Sequence, residues 1–134
     1  MDWKLEVVVV PVSDVDRAKR FYSEQVGFVV DVDTQISEKF RVVQMTPPGS
    51  ACSITLGTGL AAMTPGSLHG LQLVVDDIEA ARAHLVERGV AVGKIVHYEN
   101  GVQAEGKGGD WNSFIYFSDP DGNGGSVQER PASS

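Results

Sequence analysis

"VSDVDRAKRFYSEQVGF" (residues 12–28) and "VDDIEAARAHLVERGVAV" (residues 75–92) are two versions of one pattern, 63 residues apart in a chain of 134. Setting Asp14 against Asp77 also pairs Val15 with Ile78, Ala18 with Ala81 and Glu24 with Glu87. Self-similarity at a fixed offset is read before anything else, because it fixes the architecture. Each copy follows a β-branched run, "LEVVVV" or "LQLVV", and opens at Ser13/Asp14 or Asp76/Asp77, side chains suited to cap free helix N–H groups. In the first copy Val15, Ala18, Phe21 and Tyr22 form one apolar stripe at helical spacing. Gly27 and Gly89 then stop the two helices.

Strand-like runs follow each helix: "FVVDVD", "FRVVQM" and "SITLG" in the first half, "AVGKIVHY", "SFIYFS" and "SVQE" in the second. The glycine-rich "ENGVQAEGKGGD" reads as a mobile loop, "GTGLAAMTPGS" (57–67) as the linker, and "SDPDGN" (118–123) as a tight turn before the last strand. The expected organisation is α+β, βαβββ twice, in a single domain over 1–134 with modules 4–57 and 68–130. A sheet of that size buries little alone, so the paired halves are expected to curve around a shared cavity.

Composition narrows the function. Apolar residues make up 42% and charged residues 22%, the balance of a globular protein. A net charge of −7 argues against nucleic acid or an anionic membrane as partner. The apolar run from Leu5 to Val10 is broken by Glu6 and is too short to span a bilayer, and no signal-peptide cleavage pattern follows it. The expected location is the cytoplasm. Cys52 is the one cysteine, which excludes an internal disulfide, and its alternating neighbours fit a buried thiol.

The residues "VPVSDVDRAKRFYSEQVGF" (10–28), "LQLVVDDIEAARAHLVERGV" (71–90) and "FSDPDGN" (117–123) resemble the vicinal oxygen chelate superfamily of glyoxalases, extradiol dioxygenases and bleomycin-resistance proteins. The resemblance covers nearly the whole chain. It implies paired βαβββ modules, a homodimer and a cup-shaped ligand site. The enzymes of that family hold a divalent metal with four inward side chains, at positions that correspond here to Val7, Thr55, Gly70 and Ser126. Such metals need imidazole, carboxylate or thiolate donors, so no metal and no cofactor are expected. Glu6 and His69 are one strand step away and face the other side.

Strand parity then predicts the lining of the cup: Val7 and Val9, Val42 and Gln44, Ser53 and Thr55, Gly70, Gln72 and Val74, Phe114 and Tyr116, Ser126 and Gln128. Placing Ile115 and Phe117 toward the helices is what sends Phe114 and Tyr116 into the cup. Gly70, Gly124 and Gly125 are expected to leave open space. Trp111 reads either as a lid over a flat ligand or as an anchor for its loop, and Trp3 as an edge-packing residue. His84 reads as a surface position and His69 as a loop histidine. His97 reads as an edge position or a ligand contact. No nucleophile–base motif and no phosphate loop is present; "GKGGD" lacks the following Ser/Thr. The leading expectation is a metal-independent binder of the bleomycin-resistance type, sequestering a hydrophobic aromatic natural product, with no catalytic residue assigned. The alternatives are a glyoxalase-like enzyme using Tyr116, His97 or Glu99 in acid–base chemistry, and a dimeric interaction module.

Overall fold

A computed structural model describes residues 1–60 and 62–132; Ala61, within the expected linker, lies outside the described residues. The chain divides into two compact units, residues 1–68 with 119–123, and residues 69–118 with 124–134.

The first unit carries β1 (Val7–Val9), α1 (Val15–Arg20), β2 (Val29–Ser37), β3 (Phe40–Thr46) and β4 (Ser53–Thr58). Its four strands lie in the order β1-β4-β3-β2, with β1 and β4 parallel. Asp14 caps α1 by accepting a hydrogen bond from the Arg17 N–H, satisfying one of the donors a helix start leaves open. The expected apolar stripe is buried: Val15, Ala18, Phe21 and Tyr22 are all at most 7% exposed. It packs on β4, and Val43, Met45, Ile54 and Leu56 complete that core. The helix is not α throughout: Phe21–Val26 winds as a π-helix, and the chain leaves it at Gly27 with φ 106°. The wider turn places Phe21 edge-on to Tyr22, with centroids 5.1 Å apart, while Tyr22 also meets Phe28.

Residues 119–123 of the "SDPDGN" turn, which joins the last two strands, belong to this first unit. Asp119 is 5% exposed. Its carboxylate accepts from the Tyr22 hydroxyl and the Asn123 Nδ2, each at 2.8 Å, and from the Asp121 and Asn123 N–H groups at 2.9 Å. Burial and the Asp119 charge push the Tyr22 hydroxyl well above the ordinary phenol range, so it stays a donor. Asn123 reaches further, donating to Pro11 O and accepting from the Leu68 N–H.

The second unit carries β5 (His69–Val75), α2 (Ile78–Glu87), β6 (Val96–Glu99), β7 (Val102–Glu105), β8 (Phe114–Ser118) and β9 (Gly124–Glu129). Its strand order is β5-β9-β8-β6-β7. This repeats the first unit's order with one strand added. The extra strand corrects the reading of "ENGVQAEGKGGD" as a mobile loop: Val102–Glu105 pairs antiparallel with β6 across a turn in which Asn100 and Gly101 take φ 51° and 79°. Asp77 caps α2 through the Ala80 N–H, and Ile78, Leu85, Ile115, Phe117 and Val127 form this unit's core.

Candidate functional site

Alternation along β8 sends Ile115 and Phe117 into the core, where they are 0% and 7% exposed, and Phe114 and Tyr116 to the opposite face, where Tyr116 is 41% exposed. Register assembles that open face. Phe114 lies opposite Gln128 and Tyr116 opposite Ser126. Ser126 lies beside Gln72, and Gln128 beside Val74. Across the other edge Val96 meets Phe114, and the hairpin then sets Tyr98 against Gln103.

Two groups of side chains organise the face. The Phe114 and Tyr116 rings are near-parallel, 12° apart in plane with centroids at 6.3 Å, and Tyr98 meets Phe114 edge-on at 5.7 Å. The Tyr98 and Tyr116 hydroxyls are 2.7 Å apart. Burial and the Tyr98 hydroxyl push Tyr116 up to about 12, so it is protonated at neutral pH. Beside the rings, Gln72 Nε2 donates to Gln128 Oε1 at 2.9 Å, and Gln128 Nε2 donates to Trp111 O at 2.7 Å.

The other predicted residues fall as follows. Val7, Val9, Gln44 and Thr55 share one face of the four-stranded sheet, since Val9 and Gln44 both stand in register with Thr55, and Val7 with Ser53. Trp111 sits at φ 61° and 46% exposed. It is tied to the five-stranded face through its carbonyl, while its residue also lines a cleft with Lys107, Asp110 and Arg130. Its loop is held at both ends: the Asn112 side chain bonds both Tyr98 N and Tyr98 O at 2.9 Å, and Gly108 N donates to Ser113 Oγ.

The glycines need correcting. Gly125 does not widen the open face. It lies on the core side, where an added Cβ would come 2.6 Å from the Phe117 ring. A Cβ on Gly124 would meet the His69 ring at 3.0 Å. Gly70 answers to backbone conformation, φ 131°, a region only glycine adopts readily.

The acid–base alternative is not assembled. His97 and Glu99 alternate with Tyr98 and so face away from Tyr116. His97 Nε2 contacts Glu99 Oε1 at 2.9 Å, and Nδ1 lies 2.8 Å from Gly106 O. Glu99 and the Gly106 carbonyl raise the His97 pKa, since both accept from the charged ring. This fastens the β6–β7 hairpin.

Sequence reading missed Tyr98 and Gln103. The signal was Asn100-Gly101 between "VHYE" and "VQAE", the strongest short-range mark of a two-residue hairpin.

Two βαβββ-type units, each with one helix-packed sheet face and one open face, define the class of paired-module α+β proteins. The chain belongs to the Glyoxalase/Bleomycin resistance protein/Dioxygenase superfamily, which it matches over residues 4–124. It is similar to the antibiotic binding protein TnmS3 from Streptomyces sp. CB03234, at 38% identity over 96% of this chain and 97% of that one, with a TM-score of 0.77. A glyoxalase/bleomycin resistance protein from the same organism is 39% identical over 93% and 99% of the two chains, with a TM-score of 0.74. A superfamily member from Sphaerobacter thermophilus DSM 20745 is 29% identical over 96% and 98%, at 0.76. No curated protein matches.

The family's metal does not fit the residues present. Val7 and Gly70 have no side-chain donor. Ser126 Oγ is 3.4 Å from both Leu71 O and Gln72 Oε1. Among the described residues no three His, Cys, Asp or Glu side chains converge on one point. No helix among them is long and apolar enough to cross a membrane.

Proposed function

We propose that this protein binds a hydrophobic, aromatic small molecule of the natural-product type and holds it without a metal, as a cytoplasmic homodimer that sequesters its ligand. The observation that carries the reading is the open face of the five-stranded sheet, where Tyr98, Phe114 and Tyr116 stand in contact beside Gln72 and Gln128. An apolar, aromatic surface with a few oriented neutral polar groups is the lining of a small-molecule site. The antibiotic-binding relative at 38% identity supports the same class of function. On the four-stranded sheet's own face Val7, Val9, Gln44 and Thr55 are proposed as ligand contacts, and on the five-stranded face Trp111 is proposed to close over a ligand.

The direct test is native mass spectrometry of protein purified from its own host, which is expected to show a retained aromatic compound. With that compound in hand, Tyr116→Ala and Trp111→Ala are each expected to weaken binding about tenfold, roughly 1.4 kcal/mol, because each removes a large ring from a partly exposed position. Unchanged affinity in both variants would defeat the assignment. Untagged protein is expected to carry no stoichiometric Ni, Zn, Mn or Fe by elemental analysis; one such metal per chain would contradict the metal-free reading. Light scattering is expected to return about twice the chain mass of 14.3 kDa, as a closed two-fold assembly requires; the mass of a single chain would refute the dimer.

A further inference from the structure

The hydrogen bonds of the open face do not run at random. Trp111 O is a carbonyl and only accepts, so the Gln128 side chain must turn its Nε2 toward it. That leaves Gln128 Oε1 outward, and Gln72 must in turn present its Nε2 to that oxygen. Gln72 Oε1, at the end of the relay, faces Ser126 Oγ at 3.4 Å. The orientation of both amides is therefore fixed by one backbone carbonyl. Each Nε2 carries two protons and spends one.

The phenols repeat the logic. Gln103 Nε2 lies 3.5 Å from the Tyr98 hydroxyl, which lies 2.7 Å from that of Tyr116. Two hydroxyls that share one hydrogen bond keep one proton between them. A Tyr98 oxygen that accepts from Gln103 is the better donor to Tyr116, so the spare O–H falls on Tyr116. Among the described residues, four protons on this face have no partner: one N–H each on Gln72, Gln103 and Gln128, and the phenolic O–H. Of the oxygens, Trp111 O and Gln128 Oε1 each accept from an amide N–H, and Gln72 Oε1 shares the Ser126 hydroxyl proton with Leu71 O, each at 3.4 Å. Among the described residues Gln103 Oε1, out on the hairpin, is the one amide oxygen of the face without a donor. The face is also uncharged. Its one carboxylate by register, Glu105 opposite Val96, pairs with Lys94 at 3.4 Å.

We infer that this face selects an uncharged, flat conjugated ligand that presents hydrogen-bond acceptor oxygens, such as ketone carbonyls, with Tyr116, Gln72 and Gln128 as the donors. This rests on the small-molecule reading and narrows it. It also runs against the chain's net charge of −7, which attracts cations at long range. That pull is screened beyond about 8 Å at physiological salt, and an ammonium group placed on the face offers no acceptor to the free amide and phenol protons. A ligand that leaves buried donors unpaired is rejected far more strongly than one that merely lacks apolar contact.

The test uses three tricyclic probes of one shape, fluorene, 9-fluorenone and 9-aminofluorene in its ammonium form, titrated calorimetrically into the full chain. 9-Fluorenone is expected to bind at least tenfold more tightly than either of the others. In the double variant Tyr98→Phe/Tyr116→Phe, which keeps both rings and removes the phenolic protons, the ratio of fluorenone to fluorene affinity is expected to fall at least threefold. Equal binding of the three probes by the unmodified chain, or tightest binding of the ammonium, overturns the donor inference and leaves the small-molecule reading standing. A preference that survives in the double variant overturns the role of the phenol pair. Failure of all three probes to bind overturns both readings. The comparison among probes needs no variant, so it decides even if the double substitution fails to fold.

Discussion

Asp119→Ala is expected to lower folding stability by about 3–5 kcal/mol, because it takes the common acceptor away from four neutral donors around a buried carboxylate. The carboxylate is 5% exposed and takes four hydrogen bonds, from the Tyr22 hydroxyl, Asn123 Nδ2 and two backbone N–H groups. Alanine leaves all four donors without their acceptor, and each buried unsatisfied group costs about 1–3 kcal/mol before relaxation or water recovers part of it. Tyr22→Phe removes one of the four and is expected to cost less, about 1–2 kcal/mol. Urea unfolding with a common m-value measures both. If Asp119→Ala lies within 1 kcal/mol of the unmodified chain, the network is not what holds the turn.

Phe21→Ala is expected to cost about 3–5 kcal/mol, the range for deleting a buried aromatic side chain. The ring is 5% exposed and lies edge-on to Tyr22. It stands at the junction between α1 and the π-helix, where the neighbouring turns cannot easily close over a void. Trp111, at 46% exposed, provides the contrast: its alanine variant is expected to unfold within about 1 kcal/mol of the original. A Phe21→Ala variant as stable as Trp111→Ala would mean that the first helix contributes little to its unit's core.

Much of this was readable from local chemistry. Asp14 and Asp77 cap their helices because a short carboxylate beside a free N–H needs nothing distant to act. The faces of Phe114 and Tyr116 follow from period-two alternation, which holds wherever one side of a strand is buried. What was not readable depends on distance or on context. Asp119 and Tyr22 are 97 residues apart, and no local pattern joins them. The π-helix at Phe21–Val26 has no composition of its own to announce it. Gly125 was misplaced because a glycine in a strand can mean space or close approach, and only the Phe117 ring decides which. Tyr98 was legible in principle through Asn100-Gly101, but a run of glycines beyond it hid the second strand of the hairpin.

The membership of residues 119–123 in the first unit has a consequence for how the chain is made. A ribosome delivers residues 1–68 with the Pro11 carbonyl, the Tyr22 hydroxyl and the Leu68 N–H still lacking the partners that Asp119 and Asn123 provide. At about 5–20 residues per second, those partners emerge several seconds later. Of the two units, the one that begins first is closed only after residues 69–118 of the other have been made.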